Sequence, residues 1–266
     1  MLNLNTQVFL NTAEIKSKAP SIFTTTSSPG LSEKYTHIPT STVVEDMERL
    51  GWGVVDAKEI KARKGIGFQK HLIVFRNNSI VIDGEDGDVV FPQILLQNSH
   101  DGKSSFNFTA GIFRMVCENG LVVSTKEFEN VKLRHMGYTF EELQNKIKEM
   151  VERLPLTVDT MNRMKQTQIN EEQKIEFVKR ALSTRFRVDE IEHINIDYMT
   201  LLEPTRKEDQ SNDLWTVFNV VQEKLLNGGF QYSNGSKSRK ARKIKNFQQD
   251  IKVNQQLFEM ALEMVP

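Results

Sequence analysis

The chain changes its hydrophobic periodicity once, near Tyr138, and this change constrains the fold more than any other feature of the sequence. Before it, short apolar runs are separated by Asp-Gly pairs at 83–84, 86–87 and 101–102, which supply the positive φ that tight hairpins need. After it, apolar residues recur at helical spacing behind the cap residue Thr139. Strands followed by helices predict an α+β protein.

The N-terminal half is predicted to contain one helix and a curved antiparallel meander of four or five strands. The helix follows the cap candidates 40–42 and ends at Gly51. The strands are predicted at residues 53–57, 70–75, 80–82, 88–97 and 104–116. In the C-terminal half, helices are predicted at residues 140–151, 158–165, 170–182, 213–226 and 239–264.

Three regions follow from these patterns. Residues 1–34 are expected to form a flexible N-terminal arm, because they lack sustained periodicity and are rich in Ser and Thr. Residues 35–135 are expected to form the α+β core with the antiparallel sheet. Residues 136–266 are expected to form a helical region that ends in a basic helix.

Composition excludes several classes of function. Lys and Arg number 35, as do Asp and Glu, so any attraction to a polyanion must come from local clustering of charge. The longest apolar runs fall far short of the roughly 20 residues that span a bilayer. Residues 1–10 lack the basic and apolar segments of a secretory signal, so we expect a cytoplasmic protein. A single cysteine, Cys117, excludes an intramolecular disulfide.

Motifs for catalysis, metals and cofactors are missing from the sequence. No pair of its five histidines has helical metal-ligand spacing, and Cys117 lies in an apolar run typical of a buried thiol. We therefore expect no metal, no cofactor and a non-catalytic role. A further alternative is an enzyme with one pocket formed by Arg114, Glu118, His100 and Asp101. Arg114 and Glu118 could instead form an ion pair that only stabilises the fold.

Two clusters of positive charge are the best candidates for binding. The first joins aromatic rings for stacking on bases (Trp52, Phe68) to cations for phosphate contacts (Lys58, Lys61, Arg63, Lys64, Lys70). The second lies within residues 237–245 and contains Lys237, Arg239, Lys240, Arg242 and Lys243. The competing interpretations are a charged hairpin tip for the first cluster and a solvated helix start for the second.

Four segments of the sequence resemble the DUF932 family, a phage- and plasmid-like family of unknown function. They are residues 98–104, 111–121, 213–223 and 239–262, and the resemblance covers roughly residues 35–265. The family-motif residues are His100, Asp101, Gly102, Arg114, Cys117, Asn119, Gly120 and Trp215. The resemblance implies a protein of a mobile genetic element, without implying a particular chemistry.

A weaker similarity concerns the order of elements over residues 35–125. The segment Tyr35-x-His37-Ile38-Pro39, a helix, Gly51-Trp52 and a meander is similar in order to the core of single-strand annealing recombinases of the Erf, Sak and Red-beta kinds. These proteins assemble as rings that hold the DNA backbone in a basic groove. The similarity implies a homo-oligomer.

Together these patterns favour a non-catalytic nucleic-acid-binding protein of a mobile element, acting in the host cytoplasm on single-stranded DNA and promoting annealing. The alternative is a protein-interaction module that counters or regulates a host defence system through a host protein partner. Neither hypothesis involves a membrane.

Overall fold

The chain divides into two compact units. A computed structural model describes residues 8–31, 35–83, 89–114, 119–122, 131–235 and 237–266, without the side chains of residues 82–83, 89–90, 112–114, 119–122 and 188. The N-terminal unit holds residues 1–121 and 126–154, and the C-terminal unit holds residues 122–125 and 155–266. The main division follows residue 154, whereas the predicted boundary between the α+β core and the helical region follows residue 135.

An antiparallel sheet forms the centre of the N-terminal unit. Its strands are β1 (Gly53–Glu59), β2 (His71–Arg76), β3 (Ile82–Asp83), β4 (Val89–Asn98), β5 (Phe106–Arg114), β6 (Asn119–Val122) and β7 (Val131–Leu133). They follow the order β1-β2-β4-β5-β6, with β3 beside β4 and β7 beside β5. Val54, Phe75 and Ile94 lie opposite one another across three strands and are almost completely buried. The predicted α+β fold is confirmed.

Two helices of the N-terminal unit accompany the sheet. Helix α2 (Thr40–Arg49) begins at the residue that the sequence predicted as a cap, because Pro39 takes the N-cap position. Helix α3 (Phe140–Glu152) begins as predicted, with the backbone N–H of Glu142 donating to Thr139 Oγ1 over 3.1 Å. Both helices bury one apolar stripe.

The N-terminal segment is packed where the structure describes it, which corrects the predicted flexible arm over residues 8–31. Helix α1 (Thr12–Lys18) has a capping box between Asn11 and Glu14, and a 3₁₀ turn follows it at Pro20–Phe23. Ile15 and Ile22 are buried. The free energy of burying these side chains outweighs the conformational entropy of a Ser- and Thr-rich segment.

The C-terminal unit is mainly helical, as predicted. Its elements are α4 (Leu154–Gln166), α5 (Glu171–Leu182), α6 (Val188–Ile191), α7 (Met199–Leu202), α8 (Leu214–Asn227), α9 (Phe247–Leu262), and the strands β8 (Ile194–Asn195), β9 (Gln231–Asn234) and β10 (Lys237–Lys240). Asn170 and Asp213, the first residues of two predicted helices, take the N-cap positions and accept hydrogen bonds from the first turns. Helices α8 and α9 pack through Phe218 and Phe258, whose ring centroids are 5.9 Å apart. Within the described ranges, no helix has both the length and the apolar character needed to cross a membrane.

The basic segment before α9 is not helical, which corrects the prediction of a helix from residue 239. Residues Lys237–Lys240 form the exposed strand β10, paired with β9. Helix α9 begins at Phe247, behind an N-cap in which Asn246 Oδ1 accepts from two backbone N–H groups. The basic residues therefore lie on a hairpin strand and an extended connection.

Candidate functional site

Positive charge lines a cleft of about 680 Å³ in the C-terminal unit. Among the described residues that line it, none is acidic, and the basic ones are Arg185, Arg239, Lys240, Arg242, Lys243 and Lys245. Lys237, the remaining predicted contact of the second cluster, is exposed at the start of β10. In the described part of the chain, the cations of residues 237–245 are exposed and form no ion pair. We call this surface the basic cleft.

The cations are exposed because apolar residues anchor the same stretch of chain. Ala241, Ile244 and Phe247 are buried, and the basic residues between them face outward. Backbone hydrogen bonds fix the stretch to the end of α8: the Ala241 N–H donates to Phe230 O over 2.9 Å, and the Ile244 N–H donates to Leu226 O over 2.8 Å. The basic segment is thus held in a defined position.

Two residues outside the basic run support this position. The Arg185 guanidinium donates to the carbonyls of Leu225 and Arg242, and burial lowers its pKa from the usual value. Gly228 has φ 72° and ψ −145°, and a Cβ added there would lie 2.6 Å from Ala241 O. The close approach of the two backbones therefore requires glycine at this position.

Two aromatic residues that were not predicted as site residues, Phe186 and Tyr232, also line the basic cleft. Their ring centroids are 5.1 Å apart in an edge-on arrangement, and both side chains are partly exposed. Aromatic rings beside cations are the combination that single-stranded nucleic-acid binders use. The available sequence signal was the spacing of Phe230 and Tyr232, since residues two apart lie on the same face of an extended chain.

The first predicted cluster lies on the loop 60–70 and its flanks, in the N-terminal unit. Lys61, Arg63 and Lys64 are exposed, but Lys58 pairs with Asp56 over 3.1 Å, and Lys70 is half-buried. This cluster is therefore partly neutralised.

The stacking role predicted for Trp52 is corrected, since its side chain is 2% exposed and leaves no ring face for a base. Phe68 is half-buried beside the loop. Its backbone carbonyl accepts from the His100 N–H over 3.2 Å, which ties the loop to the protein interior.

A buried polar network lies behind this loop and was not predicted. It joins side chains from helix α2, strands β2 and β4 and the segments around them, most of them fully buried. Its members are Ser21, Tyr35, His37, Thr40, His71, Asn98, His100 and His135. We call it the histidine network.

Thr40 is the centre of the histidine network. Its Oγ1 accepts from Asn98 Nδ2 over 2.9 Å and lies 2.9 Å from His71 Nε2 and 3.2 Å from His100 Nε2. A hydroxyl has one proton and two lone pairs, so one imidazole must accept from it and the other must donate to it. His71 Nδ1 lies 3.2 Å from the carbonyl of Gln69, which assigns the accepting role to His71 Nε2.

The hydrogen bonds of Thr40 require a neutral His71, and burial keeps His100 and His135 neutral as well. Burial is the main cause that lowers the pKa of His71 to about 4, of His100 to about 3 and of His135 to about 4. Neighbouring histidines lower all three further. His135 donates from Nε2 to Asn98 Oδ1 over 3.0 Å, which leaves Nδ1 to accept from the Tyr35 hydroxyl over 2.9 Å. At neutral pH the network is therefore a buried, uncharged support.

The family-motif residues have mainly structural positions where they are described. Asp101 accepts from Ser99 Oγ and from the Lys103 N–H, Gly102 has φ 74°, and Trp215 is 1% exposed. His100 is fully buried. Cys117 and Glu118 lie outside the described residues, as do the side chains of Arg114 and Asn119, and Gly120 belongs to strand β6. The pocket of Arg114, Glu118, His100 and Asp101 therefore stays a prediction.

No group of three or more His, Cys, Asp or Glu side chains is arranged to hold a metal ion within the described ranges. The imidazole nitrogens that face one another across Thr40 are occupied by its hydroxyl. At the basic cleft, the exposed Lys and Arg side chains offer hydrogen-bond donors and positive charge.

Comparison with known proteins gives the family. A family model described as "Domain of unknown function (DUF932)" matches residues 30–258. The chain belongs to the DUF932 family. It is similar to two proteins of Escherichia coli (strain K12), UPF0380 protein YfjQ and UPF0380 protein YafZ, each 30% identical over 255 residues that cover 95% of this chain and 90% of the relative.

No solved structure matches the chain. The DUF932 match confirms the family resemblance of the sequence, and neither description names an activity. The similarity to single-strand annealing recombinases stays a prediction.

Proposed function

We propose that this DUF932 protein binds single-stranded nucleic acid through the basic cleft, without hydrolysing it. The observation that carries the proposal is the group of exposed cations at residues 237–245, which form no ion pair in the described part of the chain. Exposed Lys and Arg side chains can neutralise the phosphates of a nucleic acid, and this binding releases the counterions condensed on the nucleic acid.

The arrangement of the cations favours a polymer over a single anion. Six basic residues and no acid occur in the nine positions 237–245, so the charge is spread along the chain. Arg239 and Lys240 belong to strand β10, while Arg242, Lys243 and Lys245 belong to the connection that follows. A row of phosphates can engage these positions together.

The aromatic side chains of the cleft favour a single strand over a duplex. Phe186 and Tyr232 are partly exposed beside the cations. Unpaired bases can stack on such rings, whereas the bases of a duplex are already stacked on one another. Tyr232 and Phe186 thus take the stacking role that sequence analysis had assigned to Trp52.

The wider biological role belongs to the same proposal. We propose that a mobile genetic element encodes the protein and that it acts in the host cytoplasm. There, a homo-oligomer would bind single strands and promote their annealing. Phosphate contacts by exposed cations provide the sequence-independent binding that annealing requires.

Fluorescence anisotropy with a labelled oligothymidine tests the proposal. The full-length protein is titrated at two salt concentrations, beside the variant Arg242→Gln/Lys243→Gln and the matched control Lys146→Gln/Lys148→Gln. Both variants remove two positive charges, but Lys146 and Lys148 pair with glutamates of α3. Salt-sensitive binding that the cleft variant weakens about 10-fold or more, and the control leaves within about 2-fold, supports the proposal.

Absence of binding at low salt contradicts the proposal, as does equal weakening by the two variants. Capture of a stoichiometric host protein that resists nuclease treatment, together with absence of oligonucleotide binding, would favour the alternative of a module directed at host defence. The two outcomes therefore separate the two classes of function.

A further inference from the structure

We propose that the loop 60–70 also contacts single-stranded nucleic acid and that Ile66, at its tip, inserts between adjacent bases. This inference rests on the proposed function and adds a second contact, in the N-terminal unit, with a distinct chemistry. The basic cleft offers cations and rings, whereas the loop offers an aliphatic side chain among cations.

Ile66 is an apolar side chain held out into solvent. It is 74% exposed and lies between Gly65 and Gly67, whose φ angles are 68° and 93°. A Cβ added at Gly65 would meet nothing within 4 Å, so the tip projects away from its surroundings. Left-handed glycines on both sides allow the chain to turn sharply and present the single side chain between them.

The root of the loop is fixed by hydrogen bonds. The Gly67 N–H donates to Gln69 Oε1 over 2.6 Å, and Thr24 Oγ1 donates to Gly67 O over 2.6 Å. Gln69 Nε2 in turn donates to Glu59 Oε1 over 2.9 Å. These contacts hold the backbone next to Ile66 before a ligand arrives, so ordering the loop on binding costs less conformational entropy.

The charges around Ile66 suit nucleic acid. Lys61, Arg63 and Lys64 are exposed and form no ion pair among the described residues. They can hold phosphates while the apolar side chain meets the faces of the bases, and aliphatic wedges of this kind unstack neighbouring bases. A lipid surface is the less favoured partner, because one isoleucine buries little apolar area in a bilayer.

Fluorescence of 2-aminopurine within a single-stranded oligonucleotide tests the insertion, because this base brightens when its neighbours unstack. The full-length protein is compared with Ile66→Ser and with Met136→Ser, which removes another exposed apolar side chain of the same unit, 66% exposed. We expect Ile66→Ser to lose at least half of the fluorescence rise while its affinity, measured by anisotropy, changes less than about 3-fold. Met136→Ser should keep the full rise.

The outcomes separate this inference from the function on which it rests. An undiminished fluorescence rise in Ile66→Ser, with normal binding, overturns the insertion and leaves the basic cleft intact. Absence of binding by the unaltered protein overturns both. Ile66-dependent binding to phosphatidylserine vesicles without any change in 2-aminopurine fluorescence also overturns the insertion, in favour of a membrane partner.

Discussion

The two basic clusters are similar in sequence and different in the folded protein. In the N-terminal unit, Asp56 pairs with Lys58, and Trp52 is buried. In the C-terminal unit, the cations of residues 237–245 form no ion pair in the described part of the chain, and Tyr232 is partly exposed beside them. A run of Lys and Arg therefore keeps its charge available only where the fold keeps carboxylates away from it.

The clusters also differ in what supports them. The loop 60–70 is joined to the histidine network by the hydrogen bond that the His100 N–H donates to Phe68 O. The basic cleft depends on backbone hydrogen bonds to the end of α8, on Arg185 and on the close approach at Gly228. Conditions that disturb one support should leave the other intact.

Mild acid should destabilise the N-terminal unit much more than the C-terminal unit, and this is the largest effect that we expect. The pKa of His71 is about 4 in the folded protein and 6.5 when unfolded, so the unfolded state binds more protons between these values. Stability is complete above pH 6.5 and is lost as pH falls toward 4. From pH 7 to pH 5 the loss is about 2 kcal/mol for His71 alone, and the pKa values of His100 and His135 are lowered in the same direction.

Urea unfolding at the two pH values measures this loss, because each unit contains one tryptophan. Trp215→Phe leaves Trp52 to report the N-terminal unit, and Trp52→Phe leaves Trp215 to report the C-terminal unit. The C-terminal unit has the single exposed histidine His193 and serves as the internal control. Equal losses of stability in the two units would refute the buried, uncharged network.

Gly228→Ala should have the second largest effect, by destabilising the backbone that supports the basic cleft. The new Cβ would lie 2.6 Å from Ala241 O, at a backbone conformation that only glycine adopts readily. We expect a loss of about 2 to 3 kcal/mol in the stability of the C-terminal unit, with weaker oligonucleotide binding. Gly229→Ala is the matched control, since its φ of 94° is strained but its Cβ meets nothing within 4 Å. Equal effects of the two substitutions would rule out the proposed close approach.

Tyr232→Ala should weaken binding without changing its salt dependence. A lost stacking contact costs about 1 to 3 kcal/mol, which corresponds to an affinity loss of about 5-fold or more. Tyr232→Phe keeps the ring and should bind within about 2-fold of the unaltered protein. A loss of affinity in Tyr232→Phe as large as that in Tyr232→Ala would indicate a role for the hydroxyl and not for stacking.

Lys58→Gln should have the smallest effect, because this side chain already pairs with Asp56, which it shares with Lys18. We expect a change in oligonucleotide affinity below about 2-fold, whereas Lys64→Gln, on the loop 60–70, should weaken binding about 3- to 5-fold. Anisotropy at low salt measures both. If Lys58→Gln weakens binding as much as Lys64→Gln, neutralisation by Asp56 is not what separates the clusters.

Local signals predicted much of the fold. The caps Thr139, Asn170 and Asp213 start helices where the sequence placed them, because capping depends on residues within one helical turn. The prediction of a helix from residue 239 was wrong. Ala241, Ile244 and Phe247 recur every third residue, and this spacing resembles the apolar stripe of a helix.

Long-range contacts were out of reach of the same signals. The histidine network depends on strand register: β2 pairs with β4 so that His71 lies opposite Asn98, and this places His100 beside His71. Residues so far apart in sequence carry no spacing signal. The ion pair of Lys58 with Asp56 decides whether its charge is available, and composition alone does not reveal it.

The salt dependence of oligonucleotide affinity tests the account most directly. Each phosphate neutralised on a single strand contributes about 0.7 to the slope of log affinity against log salt concentration. The variant Arg239→Gln/Lys240→Gln/Arg242→Gln/Lys243→Gln should therefore flatten the slope by about 3. Binding with an unchanged slope in this variant would contradict the basic cleft as the place where the protein holds nucleic acid.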